Sequence, residues 1–390
     1  MKMGNTAKRQ PYPLGTPARV RLLSLLLFSL LIPRLEADTE RTRYAKSLSV
    51  RDHGDYTVVT ISDAWEGARR LRYLLIERGA ERDAGRPEGE FDGVIEVPLE
   101  RIASLATPAI AHLADLDALE TVVAVDNGEY IYNERLRRRL TDGTVPEVGS
   151  GSSFNLERLL LMRPQLVVLS IMGPDDPTAK RLDSVGIPVL PLADWREQSP
   201  LGRAEWVTLF GSLLGKETEA EELFEPRASR YLEIAELTAG EVTGDRPEVL
   251  TNAPWQGSWP VPAGDSYVAR LFAAAGGEYL WAERGGTGSL FLDLEVVLRR
   301  GADADVWINL NHGWKSRDDA LATDPRLASF RAFRTNEMYH HNRRLRPSGA
   351  NDFWESGATR PDLVLSDIVR ILHPALLPDH ELVYYKRLKP

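Results

Sequence analysis

At 390 residues and 43% hydrophobic content, the chain is long enough for two domains, each with its own buried core. A formal net charge of -9, with no Lys/Arg block outside the N-terminus, excludes a nucleic-acid binder, because phosphate binding needs a concentrated basic surface. The absence of cysteine removes disulfides, thiolate metal sites, cysteine nucleophiles and a lipidated N-terminal cysteine together.

Lys2, Lys8, Arg9, Arg19 and Arg21 precede the apolar run Leu22 to Ile32, which is too short to span a bilayer; Pro33 and then Leu35-Glu36-Ala37 follow. This order predicts a secretory signal peptide over residues 1–37 and a soluble, exported product. Strand-like runs at Tyr56 to Ile61 and Leu71 to Ile76, before a Gly/Pro/charge-rich loop from Gly79 to Asp92, predict a β extension at the edge of a first lobe. Val94 to Val97 and Ile102 to Leu105 are further strands. Thr107-Pro108 opens a helix that runs to Leu116, and the strand Thr121 to Val125 ends at the turn Asp126-Asn127-Gly128.

The stretch Val145 to Ser170 is one turn of an α/β lobe: a Gly/Ser loop, a helix capped by Asn155, Pro164 as its stop, and the buried parallel strand Gln165 to Ser170. Gly286 to Leu310 repeats the plan with Asp293 as the cap, so Glu157 of the first copy aligns with Glu295 of the second. Between the copies come the strand Gly186 to Leu192, an amphipathic helix Gly202 to Gly215, and a charged helix Lys216 to Ala239. That last helix reaches about 35 Å, enough to carry the chain from one lobe to the next. Pro226 inside it costs about 3 kcal/mol or a kink, which leaves open whether it is one helix or two. The strand Glu248 to Asn252, the Ser266-capped helix Tyr267 to Ala275 and the helical run Leu363 to Leu372 build the second lobe. Strand-helix-strand order in both halves predicts parallel sheets with helices on both faces.

In such sheets ligands sit beyond the carboxyl ends of the strands. The loops there hold Tyr130, Ser152, Ser153, Phe154, Trp195, Arg196, Trp255, Trp259, Trp314, Phe353 and Trp354. Five of the nine tryptophans fall in these loops, which fits a cleft for a bulky, partly apolar small molecule; each could instead plug the edge of its own lobe. No dinucleotide fingerprint, P-loop or nucleophile elbow occurs, and no catalytic residue is assigned. The adjacent His340-His341 lack metal-site spacing and read as surface residues, so no metal ligand is assigned either. Glu157 and Glu295 each sit in a first helical turn, where the helix dipole favours a carboxylate; as a pair they suit docking onto a two-fold partner with basic residues.

The pattern Val145 to Ser170, the run Ala193 to Trp206 (ADWREQSPLGRAEW) and the end Asp362 to Tyr385 resemble the periplasmic substrate-binding proteins of cobalamin and ferric-siderophore ABC importers. The resemblance implies two Rossmann-like α/β lobes, here 38–215 and 241–390, joined by one long linking helix over 216–240, with the ligand in the cleft between them. It implies a monomer without a resident cofactor that serves an ABC permease dimer in the inner membrane, with Glu157 docking into an arginine pocket and Glu295 doing so from the other lobe. The ligand is then a metal chelate, a ferric siderophore, with cobalamin or haem as alternatives. Arg196 or the pair Arg343-Arg344 would offset a chelate's negative charge. The cysteine-free sequence departs from the lipoprotein anchor many relatives use. The rivals are an exported enzyme acting on glycans or nucleotides, with Asp194 or Glu197 as acid or base, and a sensor subunit.

Overall fold

The computed structural model describes residues 38–79 and 89–390. The expected signal peptide lies outside the described residues, as does the middle of the loop expected over 79–92. Strands β1 (Thr39–Glu40), β2 (Leu48–Asp52), β3 (Tyr56–Ile61), β4 (Leu71–Glu77) and β5 (Gly93–Val97) form one sheet in sequence order, antiparallel except for the parallel β4/β5 pair. Val50, Val59, Ile61, Tyr73, Leu75 and Ile95 alternate onto one face and join the main core, as the two-residue period requires.

Each half of the remaining chain carries its own parallel sheet. In the first, β6 (Ile102–Leu105), β7 (Val122–Val125), β8 (Leu166–Leu169) and β9 (Val189–Pro191) lie in the order β7-β6-β8-β9. Every residue of β6, β7 and β8 is buried, which is why these strands read as unbroken apolar runs. In the second half β10 (Glu248–Thr251), β11 (Trp259–Pro262), β12 (Glu278–Tyr279), β13 (Ser289–Leu292), β14 (Val306–Ile308), β15 (Met338–His340) and β16 (Lys386–Arg387) follow. Their main sheet is ordered β12-β10-β14-β15-β16, parallel except for the edge strand β16, while β11 and β13 pair as a separate antiparallel ribbon. With the ribbon and the edge strand set aside, both sheets have the same order: second, first, third, fourth. Each therefore reverses winding between its first and third strands, β6/β8 and β10/β14.

The helix Glu217–Glu241 runs unbroken between the two sheet-bearing halves. Ala220, Phe224, Ala228, Tyr231, Ile234 and Thr238 form its buried stripe, packed against the helices Val207–Leu214 and Pro361–Leu372. Pro226 does not split it, because the ring sits on the solvent face, where water can hydrate the carbonyl that loses its donor. The expected helix Gly202 to Gly215 is instead two, Pro200–Ala204 and Val207–Leu214.

At that break lies the polar hub of the molecule. The Glu205 carboxylate accepts the backbone N–H groups of Arg43 (2.8 Å), Tyr44 (2.7 Å) and Ala45 (2.7 Å). Glu197 accepts those of Lys46 (2.8 Å) and Ser47 (3.0 Å) and the indole N–H of Trp206 (3.0 Å). Both carboxylates are buried, and burial raises both above the ordinary carboxylate range against the pull of these donors. Gly202 is required here: a Cβ would come within 2.9 Å of the Tyr44 carbonyl oxygen. The hub thus fixes the segment that leads into the β1–β5 sheet.

A second set of contacts joins the halves. Glu355 accepts the Tyr132 N–H at 2.7 Å, while Arg346 donates to the Tyr132 carbonyl and to Glu134, each at 2.7 Å. Burial pushes the Glu355 carboxyl up to about 7, and neighbouring Asp352 adds to the rise.

Two measurements test these assignments. Glu205→Ala leaves three donors without their acceptor and is expected to lose roughly 3 kcal/mol in urea unfolding; a loss below about 1 kcal/mol would remove the hub from its role. For Glu355, the unfolded carboxyl releases its proton near 4.5 and the folded one near 7. Its contribution is therefore complete below 4.5 and is lost as pH rises to 7, by about 3 kcal/mol. Glu355→Gln should flatten that stretch of the stability–pH curve, and a variant curve parallel to wild type contradicts the assignment.

Candidate ligand-binding site

The winding reversal of the second sheet positions the site. Immediately after β10 and β14 stand Asn252 and Asn309, both in the left-handed backbone region (φ 64° and 57°), where asparagine is one of the few side-chain-bearing residues at ease. Asn252 donates to the Pro260 carbonyl (2.9 Å), and Asn309 donates to the Thr251 hydroxyl (3.2 Å) and accepts from the Tyr385 hydroxyl (2.8 Å). These two asparagines floor a cavity of about 330 Å³. His341, one residue beyond β15, and Tyr385, one before β16, extend the same wall.

The rest comes from three further pieces of chain. Tyr267 stands at the first turn of its helix, capped by Ser266. Phe353 and Trp354 come from a single helical turn, with His341 packed against both at ring centroid distances of 4.5 and 5.1 Å. From the first half, Trp195, Pro200 and Arg203 close the cavity. The wall is therefore mainly aromatic and is shared between the halves. Buried Asp367 holds it in place by accepting the N–H groups of Tyr384 (2.7 Å) and Tyr385 (3.0 Å) and an N–H of the His380 ring (2.6 Å).

Arg203 is the one charged side chain on this wall among the described residues. It donates Nε to buried Asp194 at 2.8 Å and Nη1 to the Tyr267 hydroxyl at 3.0 Å, with its guanidinium 4.9 Å from the Tyr267 ring centre. Burial opposes its charge, but Tyr267 and Asp194 more than offset that and hold it protonated. Burial keeps His341 neutral, with its pKa lowered to about 3, and its Nδ1 has no hydrogen-bond partner among the described residues.

Of the residues expected at the site, Trp195, Phe353 and Trp354 meet in this cavity. The others lie elsewhere, each for a physical reason. Trp259 is a core residue: its indole N–H bonds the Thr251 carbonyl (2.9 Å), and its ring packs on Trp307 and Phe330. Trp314 packs edge-on against Trp307 and donates to Thr323 (3.0 Å). Phe154 is buried in the first half beneath the Arg181 guanidinium. Ser152 and Ser153 form an exposed turn, while Tyr130 and Trp255 are exposed at 57% each, off the cavity wall. Arg196 is clamped to Asp63 (2.8 Å), Arg344 to Asp352 (3.0 Å), and Arg343 lines a separate groove. The histidine pair corrects the surface expectation, for His340 and His341 are both buried. Sequence reasoning missed Asn252, Asn309, Tyr267, Arg203 and Tyr385; two asparagines directly after strands of matched position were the available signal.

Glu157 and Glu295 are exposed in the first turns of the helices Leu156–Leu161 and Leu294–Arg300, which precede the third strand of each sheet. Glu157 has no side-chain partner among the described residues, whereas Glu295 pairs with exposed Arg326 at 2.6 Å. Among the described residues no cluster of His, Asp and Glu is arranged to hold a metal ion, and no helix is long and apolar enough to cross a membrane.

The sequence pattern of the periplasmic binding protein family matches residues 102–345. The chain belongs to that family. This binding protein is 27% identical over 358 residues to an uncharacterized lipoprotein of Methanocaldococcus jannaschii, covering 86% of this chain and 82% of the relative. Its fold matches the periplasmic haem-binding protein RhuT of Roseiflexus (TM-score 0.54, 23% identity, 71% of this chain and 99% of that one). It also matches the molybdate-binding protein MolA of Haemophilus influenzae (TM-score 0.56, 18% identity, 74% and 90%). The family consists of substrate-binding proteins of ABC transporters rather than enzymes. The β1–β5 sheet precedes the matched region. The expectation of no lipid anchor gains nothing from the archaeal relative, which is named a lipoprotein.

The two kinds of tryptophan separate experimentally. Trp259→Ala is expected to cost about 3–5 kcal/mol of stability, whereas Trp195→Ala should cost far less and instead weaken ligand binding by more than about 1 kcal/mol. Equal losses of stability in the two variants would contradict the division.

Proposed function

We propose that this binding protein captures a compact iron chelate of the ferric-siderophore type in the aromatic cavity and delivers it to an ABC permease dimer. The reading is carried by one observation: a cavity of about 330 Å³, walled by Trp195, Tyr267, Phe353, Trp354 and Tyr385, lies at the winding reversal of the second sheet and is closed by the first half. That volume lies near the lower end of the range for small-molecule pockets, about 300–1,000 Å³. A compact chelate fits it better than a whole cobalamin with its nucleotide loop. Haem is the second reading, favoured by the neutral imidazole of His341 in the wall. Asp194 and Glu197, the acid and base of the rival enzyme, are taken up by Arg203 and by backbone donors, which weighs against catalysis.

The protein works outside the cytoplasm, exported by the segment before residue 38, as a monomer that meets the permease through Glu157 and Glu295. The equivalent placement of the two helices supports this pairing. A thermal-shift screen against ferric siderophores, haem and cobalamin tests the ligand, and stabilisation by cobalamin alone would overturn it. For docking, Glu157→Arg combined with Glu295→Arg should abolish uptake in reconstituted vesicles while the ligand dissociation constant stays within threefold. Undiminished uptake by that double variant removes the docking role.

A further inference from the structure

We propose that the cargo is electroneutral, and that Asp194 enforces this by cancelling the charge of Arg203 behind the cavity wall. The inference rests on the chelate reading above and narrows it to one charge class.

The deciding quantity is the charge on the wall. Among the described residues no carboxylate lines the cavity, and its one charged side chain, Arg203, is bound through Nε to Asp194, which is itself 1% exposed. His341 adds no charge, since burial keeps its imidazole neutral. Of the arginines close in sequence to wall residues, Arg196 is paired with Asp63, Arg344 with Asp352 at 3.0 Å and Arg360 with Asp362 at 2.7 Å, while Arg270, which donates to Gln198 at 3.3 Å, and Arg343 do not line the cavity. The polar groups left on the wall are neutral, the side chains of Asn252, Asn309, Thr287 and Ser289 among them.

Against such a wall, a chelate of net charge -3 gives up hydration and meets no uncompensated cation, so the transfer is uphill. A neutral complex loses little hydration and gains the aromatic contact area in full. Asp194 is the deciding group because it, rather than solvent, faces the guanidinium. Among the described residues its carboxylate serves nothing else, since Oδ1 is buried without a partner and Oδ2 accepts from Arg203. With that carboxylate neutralised, Arg203 would present a full positive charge to the cavity and the preference would move towards anions.

Calorimetric titration of the intact protein at neutral pH, with ferrichrome (neutral tris-hydroxamate) and ferric enterobactin (tris-catecholate, net charge -3), tests this directly. The expected result is at least 100-fold tighter binding of ferrichrome by wild type. Asp194→Asn should cut that preference at least tenfold. Because the single variant leaves Arg203 buried without its counter-ion, Asp194→Asn combined with Arg203→Gln provides a neutral control, in which the ratio of the two affinities is expected to return to that of wild type even where the loss of the Tyr267 contact lowers both. Equal or tighter binding of ferric enterobactin by wild type overturns neutrality yet leaves the chelate reading standing. A double variant with the lowered preference of Asp194→Asn overturns the role of Asp194. Binding of neither chelate, with haem or another ligand raising the melting temperature, brings down the chelate reading and this inference together.

Discussion

The structure depends on how one fourteen-residue run, Ala193 to Trp206, keeps four ionisable side chains out of water. Asp194, Glu197, Arg203 and Glu205 are all buried, an arrangement that costs several kcal/mol per uncompensated ion. Each is compensated differently. Glu197 and Glu205 face the backbone N–H groups of Arg43 to Ser47, while Asp194 faces the guanidinium of Arg203. The first solution ties the N-terminal sheet to the lobe; the second places a neutralised cation at the cavity wall. One stretch of chain thus serves both folding and recognition, and the two carboxylates that suggested catalysis are spent on Arg203 and on the donors of Lys46, Ser47 and Trp206.

The duplicated strand order has an asymmetric outcome. Both sheets reverse between their first and third strands, and both put a capped helix with a first-turn glutamate before the third. Among the described residues, however, left-handed asparagines follow the strands and open onto the cavity only after β10 and β14. In the first half β6 is followed by Ala106 and a helix beginning at Thr107, and the loop after β8 leads on to the helix Pro177–Asp183. The second half therefore supplies most of the site and the first supplies its cover. Tyr132, Glu134, Glu355 and Arg346 tie the two together at one side.

Much of this was legible in the sequence where burial and local geometry dictate the same answer. The apolar runs at Val122 to Val125 and Leu166 to Leu169 and the Asn155 and Ser266 caps are local signals, and the elements follow them. Strand pairing is not local. The ribbon of β11 and β13 joins residues some thirty positions apart, and two of its four β11 residues are prolines, so no alternating pattern marks it. The two-residue strands β12 and β16 are too short to carry a period at all. Pro226 left the linking helix undecided because sequence alone does not say which face of a helix meets water.

The aromatic residues show why a site is harder to read than a fold. An indole needs a partner for its N–H when buried. Trp259 and Trp307 find the carbonyls of Thr251 and Asn252 within their own sheet, and Trp206 finds Glu197, so these rings complete the core. Trp195 and Trp354 make no such bond among the described residues and line the cavity instead. Loop position, the criterion available from sequence, does not distinguish the two groups; hydrogen-bond satisfaction does, and it depends on which strand lies alongside. The same reasoning applies to the histidines. His340 and His341 are adjacent in sequence and both buried, yet only His341 reaches the cavity, because it lies one residue beyond the end of β15 and packs on Phe353 and Trp354. A wall assembled from such strand ends presents flat rings, amides and hydroxyls, with its one charge, on Arg203, paired to Asp194.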